Sequence, residues 1–349
     1  MRVMQCMAGA KHGGAEAFFT RMVLALHRAG LDQRVVLRPE PVREKLLADG
    51  GIAAFPLAFG GKLDLSTRLG LRRELARFKP DVVLSWMSRA ATFCPKPAGR
   101  FIHCGRLGGY YDLKYYRTCD HLIGNTEGIV NYLIEQGWPA NRAHYLPNFV
   151  APATEEPMPR QALSTPDDAA VVLALGRLHP NKAFDILIQA MRRLPDVYLW
   201  LAGDGPLEAV LRQQAVHFGV APRIRFLGWR EDPGALYAGA DLVVCPSRIE
   251  PLGNVVLEAW ARRKPIVAAA ADGPSTLIRD GENGLLVPVD DVEALAAGIN
   301  QVLANREAAQ TMAEAAFADY MAEYSETVVV QRYLDFFHKV ADQNQGAPT

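Results

Sequence analysis

The chain alternates short runs of strand-forming residues with longer stretches in which apolar residues recur at helical spacing. Strands that alternate with helices in this way indicate βαβ units, and such units build parallel sheets. The pattern therefore predicts an α/β protein with doubly wound parallel sheets. It extends over most of the 349 residues, a length that suggests two domains.

The alternation forms two series, separated by a segment of different composition. Residues 147–168 contain five prolines and few apolar residues, which is typical of an interdomain linker. We expect a first domain over residues 1–150, a linker over 151–168 and a second domain over 169–325. In the first series, strands are predicted at residues 3–7, 34–37, 52–57, 81–86, 100–103, 121–124 and 143–146, and helices at 15–29, 42–49, 66–78 and 126–136. In the second series, strands are predicted at residues 170–175, 198–202, 223–227, 241–245, 265–269 and 284–287, helices at 183–194, 207–218, 254–263 and 292–305, and a helical tail at 307–342.

Composition narrows the class of protein and its compartment. Apolar residues make up 50% of the chain and charged residues 22%, as in ordinary globular proteins. No apolar run reaches the roughly 18 residues of a membrane span, and the N-terminus does not resemble a signal peptide. The five cysteines are scattered and form no CxxC pair, so we expect a cytoplasmic protein with no disulfide framework and no zinc site.

The net charge of zero conceals an asymmetry between the two halves. Residues 1–150 contain 21 Lys and Arg against 12 Asp and Glu, whereas residues 151–349 contain 17 against 26. A basic first half suggests an anionic partner, although chance distribution over two surfaces explains it equally well. No nucleic-acid-binding module is recognisable, so we expect no nucleic acid.

Three candidate sites follow predicted strands, where ligands bind to doubly wound sheets. The first is GAKHGGAE at residues 9–16, in which Gly13 and Gly14 would let a ligand approach the backbone at a helix N-terminus. Its glycine spacing is neither the dinucleotide fingerprint nor the Walker pattern, which argues against a nicotinamide or ATP enzyme. The alternative interpretation is a plain tight turn between strand and helix.

The second candidate site is LGRLHPNK at residues 175–182. Gly176 follows the strand, and Arg177 and Lys182 flank the turn that leads into the next helix. Two cations at a helix N-terminus suit a diphosphate, whereas the alternative is a pair of ordinary surface cations.

The third candidate site is PSRIEPLGNVVLEA at residues 246–259. Asn254 is expected to cap the following helix, which places Glu250 in the loop and Glu258 in the second helical turn. Carboxylates accept strong hydrogen bonds from the vicinal hydroxyls of sugars, and Gly253 and Asn254 could offer backbone N–H groups. The alternative for each glutamate is a solvated surface acid.

These residues resemble a known family. Glu250 and Glu258, separated by seven residues, are similar to the paired-glutamate signature of the family 4 retaining glycosyltransferases, and residues 176–182 are similar to their phosphate-binding turn. The stretches LAGDGP (201–206), FLG (226–228), DGENGL (280–285) and GGAE (13–16) also resemble common segments of the family. The resemblance covers nearly the whole chain and is more specific in the second half.

The resemblance implies the GT-B fold, in which two Rossmann-like domains face each other across a cleft and a C-terminal helix, here residues 326–345, crosses back onto the first domain. It implies that Arg177 and Lys182 neutralise the diphosphate of a UDP- or GDP-sugar. Glu250 would contact hydroxyls of the donor sugar, and Glu258 would hold the ribose.

Further roles are implied less closely. Gly14 would let the diphosphate approach the first helix, and the loop containing Gly228 and Arg230 would lie near the base. His103 is expected to end a strand, like the family histidine near the donor sugar; the alternative is a structural histidine. The family commonly has glycine where this chain has Ala183, and an aromatic residue where it has Leu252.

The expected reaction is transfer of a hexose, with retention of configuration, to a saccharide or lipid-linked acceptor in lipopolysaccharide or cell-envelope glycan synthesis. No Asp-x-Asp motif stands in a convincing loop, so we expect no metal and no cofactor beyond the donor. The acceptor should bind the first domain, where residues 62–79 form a basic amphipathic helix and residues 106–117 contain four tyrosines. The helix is either a contact with an anionic membrane or an ordinary helix covering a sheet.

Other functions remain as alternatives. A nucleotide-sugar epimerase or a phosphorylase could use the same fold, and a protein that binds a nucleotide sugar without turnover would share the donor site. An epimerase would convert the donor in the absence of an acceptor, and a phosphorylase would contain a lysine-bound pyridoxal group. A nicotinamide oxidoreductase is disfavoured because its glycine fingerprint is absent.

Overall fold

The structure, a computed structural model, describes residues 1–11, 13–61, 63–150, 155–230 and 232–345, with side chains as far as Asp342. The chain forms two compact units. The first unit comprises Met1–Phe149 together with the C-terminal segment from Glu326, and the second comprises Val150–Ser325. Each unit contains one parallel sheet covered by helices, so the α/β class is confirmed.

The first unit contains seven parallel strands in the order β3-β2-β1-β4-β5-β6-β7. The strands are β1 (Arg2–Met7), β2 (Asp32–Leu37), β3 (Ala54–Pro56), β4 (Val82–Trp86), β5 (Ile102–Leu107), β6 (His121–Gly124) and β7 (Ala143–Tyr145). The helices are α1 (Gly14–Arg28), α2 (Pro41–Asp49), α3 (Leu65–Phe78), α4 (Met87–Phe93) and α5 (Glu127–Glu135). Because β1 pairs with both β2 and β4, the strand order reverses between β1 and β4.

The second unit contains six parallel strands in the order β10-β9-β8-β11-β12-β13. The strands are β8 (Ala170–Leu175), β9 (Val197–Ala202), β10 (Ile224–Gly228), β11 (Leu242–Cys245), β12 (Ile266–Ala269) and β13 (Leu285–Val287). The helices are α6 (Phe184–Ala190), α7 (Glu208–His217), α8 (Pro233–Gly239), α9 (Asn254–Trp260), α10 (Asp272–Leu277), α11 (Val292–Ala304) and α12 (Arg306–Asp319). Here the order reverses between β8 and β11.

Helix α13 (Glu326–Gln345) completes the core of the first unit. Its buried Tyr333 and Phe337 belong to the same apolar cluster as Phe18 and Trp86. The buried Arg106 guanidinium lies 4.8 Å from the Phe18 ring centre and 4.6 Å from that of Trp86, and its Nε donates to the Tyr333 hydroxyl at 2.8 Å. The chain therefore returns to the first unit, as the resemblance implied.

A pair of histidines on the last two strands of the first sheet packs against this helix. Nδ1 of His121 lies 2.9 Å from Nε2 of His144, and the Phe336 ring centre is 4.8 Å from that of His144. Burial, together with the nearby charge of Lys339, lowers the pKa of both histidines to about 4. Both rings are therefore neutral at pH 7.

Part of the segment that was predicted as a linker packs on the second unit. The Met158 backbone N–H donates to the Ala235 carbonyl at 2.9 Å, and both Asp241 carboxylate oxygens accept from Arg160 at 2.8 Å. Residues 151–154 lie outside the described residues. Among the helices that the structure describes, none has the length and apolar character needed to cross a membrane.

Candidate functional site

The second and third candidate sites meet where the strand order of the second sheet reverses. The turn at residues 176–183 follows β8, and the loop at residues 246–253 follows the neighbouring strand β11. Ligands of doubly wound sheets bind outside the carboxyl ends of the strands at such reversal points. Backbone N–H groups of Arg248 and Ile249 donate to the Asn181 carbonyl at 2.8 and 3.2 Å, so the two segments are directly joined.

Glycines allow the loop after β9 to support the turn after β8. A Cβ at Gly203, whose φ is +136°, would lie 1.9 Å from the Gly176 carbonyl oxygen, and one at Gly205 would lie 2.5 Å from that of Leu178. The backbone of Leu178 donates to the Asp204 carbonyl at 2.7 Å, and Gly203 donates to the Gly228 carbonyl at 2.7 Å. The glycines of LAGDGP therefore allow the backbone of this loop to pack directly against the backbone of the turn after β8.

Lys182 and Glu250 form an ion pair within this site. Their side chains are 24% and 10% exposed, and the Ser247 hydroxyl lies 3.3 Å from the same Glu250 oxygen that Lys182 contacts. Burial lowers the pKa of Lys182, but the attraction of Glu250 and, less strongly, of Cys245 and Glu258 raises it overall. The ammonium is therefore charged and paired with the Glu250 carboxylate, and the Glu258 carboxylate lies within electrostatic range of it.

Glu258 lies on α9, one turn beyond the glycine that precedes the helix. Its Oε2 accepts a 2.7 Å hydrogen bond from the buried Tyr237 hydroxyl on α8. Burial, the Glu258 charge and this hydrogen bond raise the pKa of Tyr237 well above 10, so the phenol remains a donor. Asn254 was expected to cap α9, but Gly253 occupies that position with φ of +75°, and Asn254 is the first helical residue.

Arg177 and Arg230 differ in their surroundings. Arg177 is exposed and has no hydrogen-bond or ion-pair partner among the described residues, so its charge remains available to a ligand. The Arg230 guanidinium is bound by both carboxylate oxygens of Asp232, at 2.7 and 2.6 Å. Gly228 has a φ of +64° at the end of β10, where the chain turns toward Arg230.

Two residues of the site were missed at the sequence level. Arg248 donates to both carboxylate oxygens of Asp185, at 2.9 and 2.7 Å, and to the Pro180 carbonyl at 2.8 Å, so it clamps the turn that ends in Lys182. Tyr237 was missed because it lies on a helix that the sequence pattern did not reveal. The position of Arg248, two residues before Glu250, was the available signal for its role.

The glycine loop follows β1 at the reversal point of the first sheet. Helix α1 begins at Gly14 after an extended Gly13. The Glu16 side chain folds back to accept a 2.7 Å hydrogen bond from the Ala10 N–H, and its carboxylate would lie 2.3 Å from a Cβ at residue 13. Gly13 therefore leaves room for this carboxylate.

The structure does not support the catalytic role that was expected of His103. Strand β5 continues to Leu107, so His103 is its second residue and lies far from the carboxyl end. The side chain is fully buried, with Nε2 2.8 Å from the Ser85 hydroxyl and Nδ1 3.0 Å from the Thr118 carbonyl. Burial lowers its pKa to about 4. His103 is thus a structural histidine of the core.

The chain is similar to known proteins over nearly its whole length. Residues 156–319 match the family model for glycosyl transferases group 1, and residues 12–154 match that for glycosyltransferase family 4. Two similar relatives come from Rhizobium meliloti. Both are named lipopolysaccharide core biosynthesis glycosyltransferases. LpsE is 36% identical, over 93% of this chain and 95% of the LpsE chain. LpsD is 34% identical, over 97% of this chain and 98% of the LpsD chain.

A solved structure has the same fold. HepE from Anabaena, crystallised with UDP, superimposes with a TM-score of 0.84 at 23% sequence identity, over 97% of this chain and all of that one. The two Rossmann-like parallel-sheet domains thus define a glycosyltransferase of the GT-B class. The chain belongs to the group 1 glycosyltransferases, the family that its paired glutamates resemble.

Proposed function

We propose that this enzyme moves a hexose from a nucleoside-diphosphate sugar, with UDP as the nucleotide, to a growing lipopolysaccharide core. The acceptor class is supported by LpsE and LpsD, which are named for lipopolysaccharide core biosynthesis. The donor class is supported by HepE, whose structures were solved with UDP and with UDP-glucose. The observation that carries the proposal is the cluster at the reversal point of the second sheet, in which Lys182 pairs with Glu250 and lies within electrostatic range of Glu258.

Each residue of the cluster would have a distinct task. Lys182 and the exposed Arg177 would bind the diphosphate, and the clamp formed by Arg248 would hold their turn in place. Glu258, oriented by the Tyr237 hydroxyl, would accept hydrogen bonds from the ribose hydroxyls. Glu250 would accept from hydroxyls of the transferred sugar.

The chemistry requires charge to be stabilised at two places. As the bond between the anomeric carbon and the diphosphate breaks, negative charge grows on the leaving group and positive character grows on the sugar ring. Cations that are already fixed stabilise the leaving group without reorganisation, which water cannot do. Arg177 and Lys182 would supply this charge in a reaction that needs no metal and retains the anomeric configuration.

The acceptor would bind the first unit, at the carboxyl ends of its strands. There, Tyr110 is 45% exposed and stacks edge-on against Tyr132, and with Asp112 and Gln136 it lines a pocket suited to a sugar ring. The buried Tyr116 cannot contribute. An acceptor anchored in lipid would hold the enzyme at the cytoplasmic face of the membrane as a peripheral protein.

The experiment is a binding and turnover assay on the intact chain. UDP- and GDP-sugars would be titrated against the wild type, Glu258→Gln and a control, Glu314→Gln, which changes an exposed acid of α12. A donor at 100 times its Kd should stabilise the fold by about 2.7 kcal/mol. Loss of a hydrogen bond to a charged group should weaken UDP binding by 10- to 100-fold in Glu258→Gln alone.

Turnover distinguishes transfer from the alternatives. Radiolabelled donor would be incubated with truncated lipopolysaccharide, with and without EDTA. Label in the lipopolysaccharide supports transfer, whereas conversion of the donor without acceptor would indicate an epimerase. Tight donor binding without turnover would indicate a non-catalytic binding protein. Loss of activity in EDTA that Mg²⁺ restores would contradict the metal-free mechanism.

A further inference from the structure

The first unit contains a basic groove of about 940 Å³ that none of the expected catalytic residues lines. One wall is the face of α3 that carries Leu75, and the other is the segment that leads into β5. Four exposed cations surround the groove, and its apolar floor is formed mainly by leucine, proline and phenylalanine. The groove residues are Arg72, Leu75, Ala76, Lys79, Pro80, Pro95, Lys96, Pro97, Arg100 and Phe101.

The positive charge of this groove is not neutralised by the surrounding chain. None of its four cations has an ion-pair partner among the described residues. Residues 51–100 contain nine Lys and Arg but only three acids. Those acids are engaged elsewhere: Asp64 caps α3, Glu74 pairs with Arg34, and Asp81 accepts from the backbone of Arg2.

The same helix exposes apolar residues in its first half, one to two turns before the first cation of the groove. Leu65 and Leu69 are 68% and 52% exposed, and Leu63, just before the helix, is 92% exposed. Positions 65, 69, 72 and 76 recur every three or four residues, so they lie along one stripe of α3, and Lys79 directly follows the helix as its left-handed C-cap. The exposed leucines and the first groove cation therefore lie on the same side of this helix. Lys62, which extends the basic sequence, lies outside the described residues.

The groove lies away from the candidate acceptor region of its own sheet. Phe101 directly precedes β5 and Pro80 lies two residues before β4, so the groove is at the amino ends of these strands. The glycine loop and the Tyr110 pocket follow the carboxyl ends of their strands. Changes in the groove should therefore leave the chemistry of the site intact.

We infer that the basic groove and the exposed leucines of α3 form the surface through which this enzyme docks on an anionic phospholipid bilayer. The inference rests on the peripheral membrane location proposed above. A row of cations attracts lipid phosphates, and leucines beside them can enter the boundary between headgroups and acyl chains. A small soluble anion would be held by the cations alone and would leave the three leucines in water.

The size of the effect follows from the number of cations. Each Lys or Arg near an anionic leaflet strengthens binding by about fivefold. Loss of all four groove cations should therefore weaken vesicle binding by several hundredfold. The wild type should also lose affinity as salt rises, because screening weakens attraction between the surface and the lipid.

The test is sedimentation of the full-length protein with vesicles of phosphatidylglycerol and phosphatidylcholine in a 3:7 ratio, or of phosphatidylcholine alone. The groove variant changes Arg72, Lys79, Lys96 and Arg100 to Gln. A control variant removes four other surface cations, with the same change in net charge. It carries Arg192→Gln, Arg193→Gln, Arg212→Gln and Arg306→Gln in the second unit. A third variant, Leu65→Ser with Leu69→Ser, removes the exposed apolar residues only.

The expected result is binding to the anionic vesicles alone, abolished in the groove variant, kept in the control and weakened severalfold in the leucine variant. No binding by the wild type, or equal loss in the control, would overturn the inference. Full binding by the leucine variant would also overturn it, because the exposed leucines would then take no part in docking. UDP binding and thermal unfolding measured on the same samples show whether each variant is folded, and they test the proposed donor site independently.

Discussion

The ion pair between Lys182 and Glu250 makes a prediction about stability that can be worked from its burial. Lys182→Met keeps the apolar stem but leaves the Glu250 carboxylate, which is 10% exposed, with the Ser247 hydroxyl and the Gly253 N–H as its hydrogen-bond partners among the described residues. Breaking a fully buried pair costs about 3–5 kcal/mol, and because Lys182 is still 24% exposed we expect about 2–3 kcal/mol. Lys182→Met with Glu250→Gln leaves no stranded charge, so it should lose only about 1 kcal/mol.

The same pair predicts how this loss depends on pH. The pKa of Lys182 is raised in the folded enzyme, so the pair contributes fully at neutral pH and its contribution is lost only as pH rises above about 10.5. In Lys182→Met, a proton can neutralise the stranded carboxylate, so the folded state gains affinity for protons. The deficit relative to the wild type should therefore be largest above pH 7 and shrink toward pH 5.

Urea unfolding at pH 7.5 and pH 5.0 measures both effects for the wild type, the single variant and the double variant. UDP titration of each variant shows whether the donor site is retained. The reasoning is refuted if Lys182→Met unfolds at the wild-type urea concentration at pH 7.5. It is also refuted if the deficit is the same at both pH values, or if the double variant is no more stable than the single one.

Three further predictions concern other parts of the molecule. Gly203→Ala should lower the free energy of unfolding in urea by about 3–5 kcal/mol, because the new Cβ would lie 1.9 Å from a backbone oxygen. Gly219 has a φ of +69° but open space around it, so Gly219→Ala should lower it by only about 1 kcal/mol through backbone strain. Equal losses would contradict this account. The pKa values of His121 and His144 are lowered to about 4, so folding stability should be lost as pH falls from 6.5 toward 4. The variant His121→Phe with His144→Phe should lose less stability over that range. An equal loss in the variant and the wild type would show that the two histidines do not cause it. Arg177→Gln should weaken UDP binding about tenfold or more. The unfolding midpoint should not change, because the exposed side chain makes no hydrogen bond or ion pair with the described residues. If calorimetry shows unchanged affinity for UDP, Arg177 does not bind the diphosphate.

Much of the fold was predictable because buried parallel strands leave a strong apolar signal. Every strand in the part of the chain that the structure describes lies at an anticipated position, in two series of seven and six. Three short helices, α4, α8 and α10, were missed since each has only six or seven residues and lacks a clear apolar period. The boundary of β5 was placed at residue 103 because Gly105 and Arg106 interrupt the apolar run. That error displaced His103 to a strand end.

The charged residues of the candidate site were also predictable, but their supporting contacts were not. Lys182 and Glu250 are 68 residues apart, and only the expectation that they follow neighbouring strands brings them together. The Tyr237 hydroxyl that orients Glu258 is invisible in the sequence, because tyrosine in a short helix is more often a core residue. Pairwise contacts between separate elements depend on packing, which apolar periodicity does not encode.

The return of α13 to the first unit has a consequence for how the chain is made. The second unit is one continuous segment, Val150–Ser325, whereas the first needs residues from both ends of the chain. During synthesis the second unit can fold while the first still lacks Tyr333 and Phe337 over its buried aromatic residues. The nascent chain must therefore expose that apolar surface until α13 has emerged from the ribosome. Chaperone demand should accordingly peak before α13 emerges, and a nascent chain that has emerged only as far as residue 325 should carry a structured second unit beside an unfinished first.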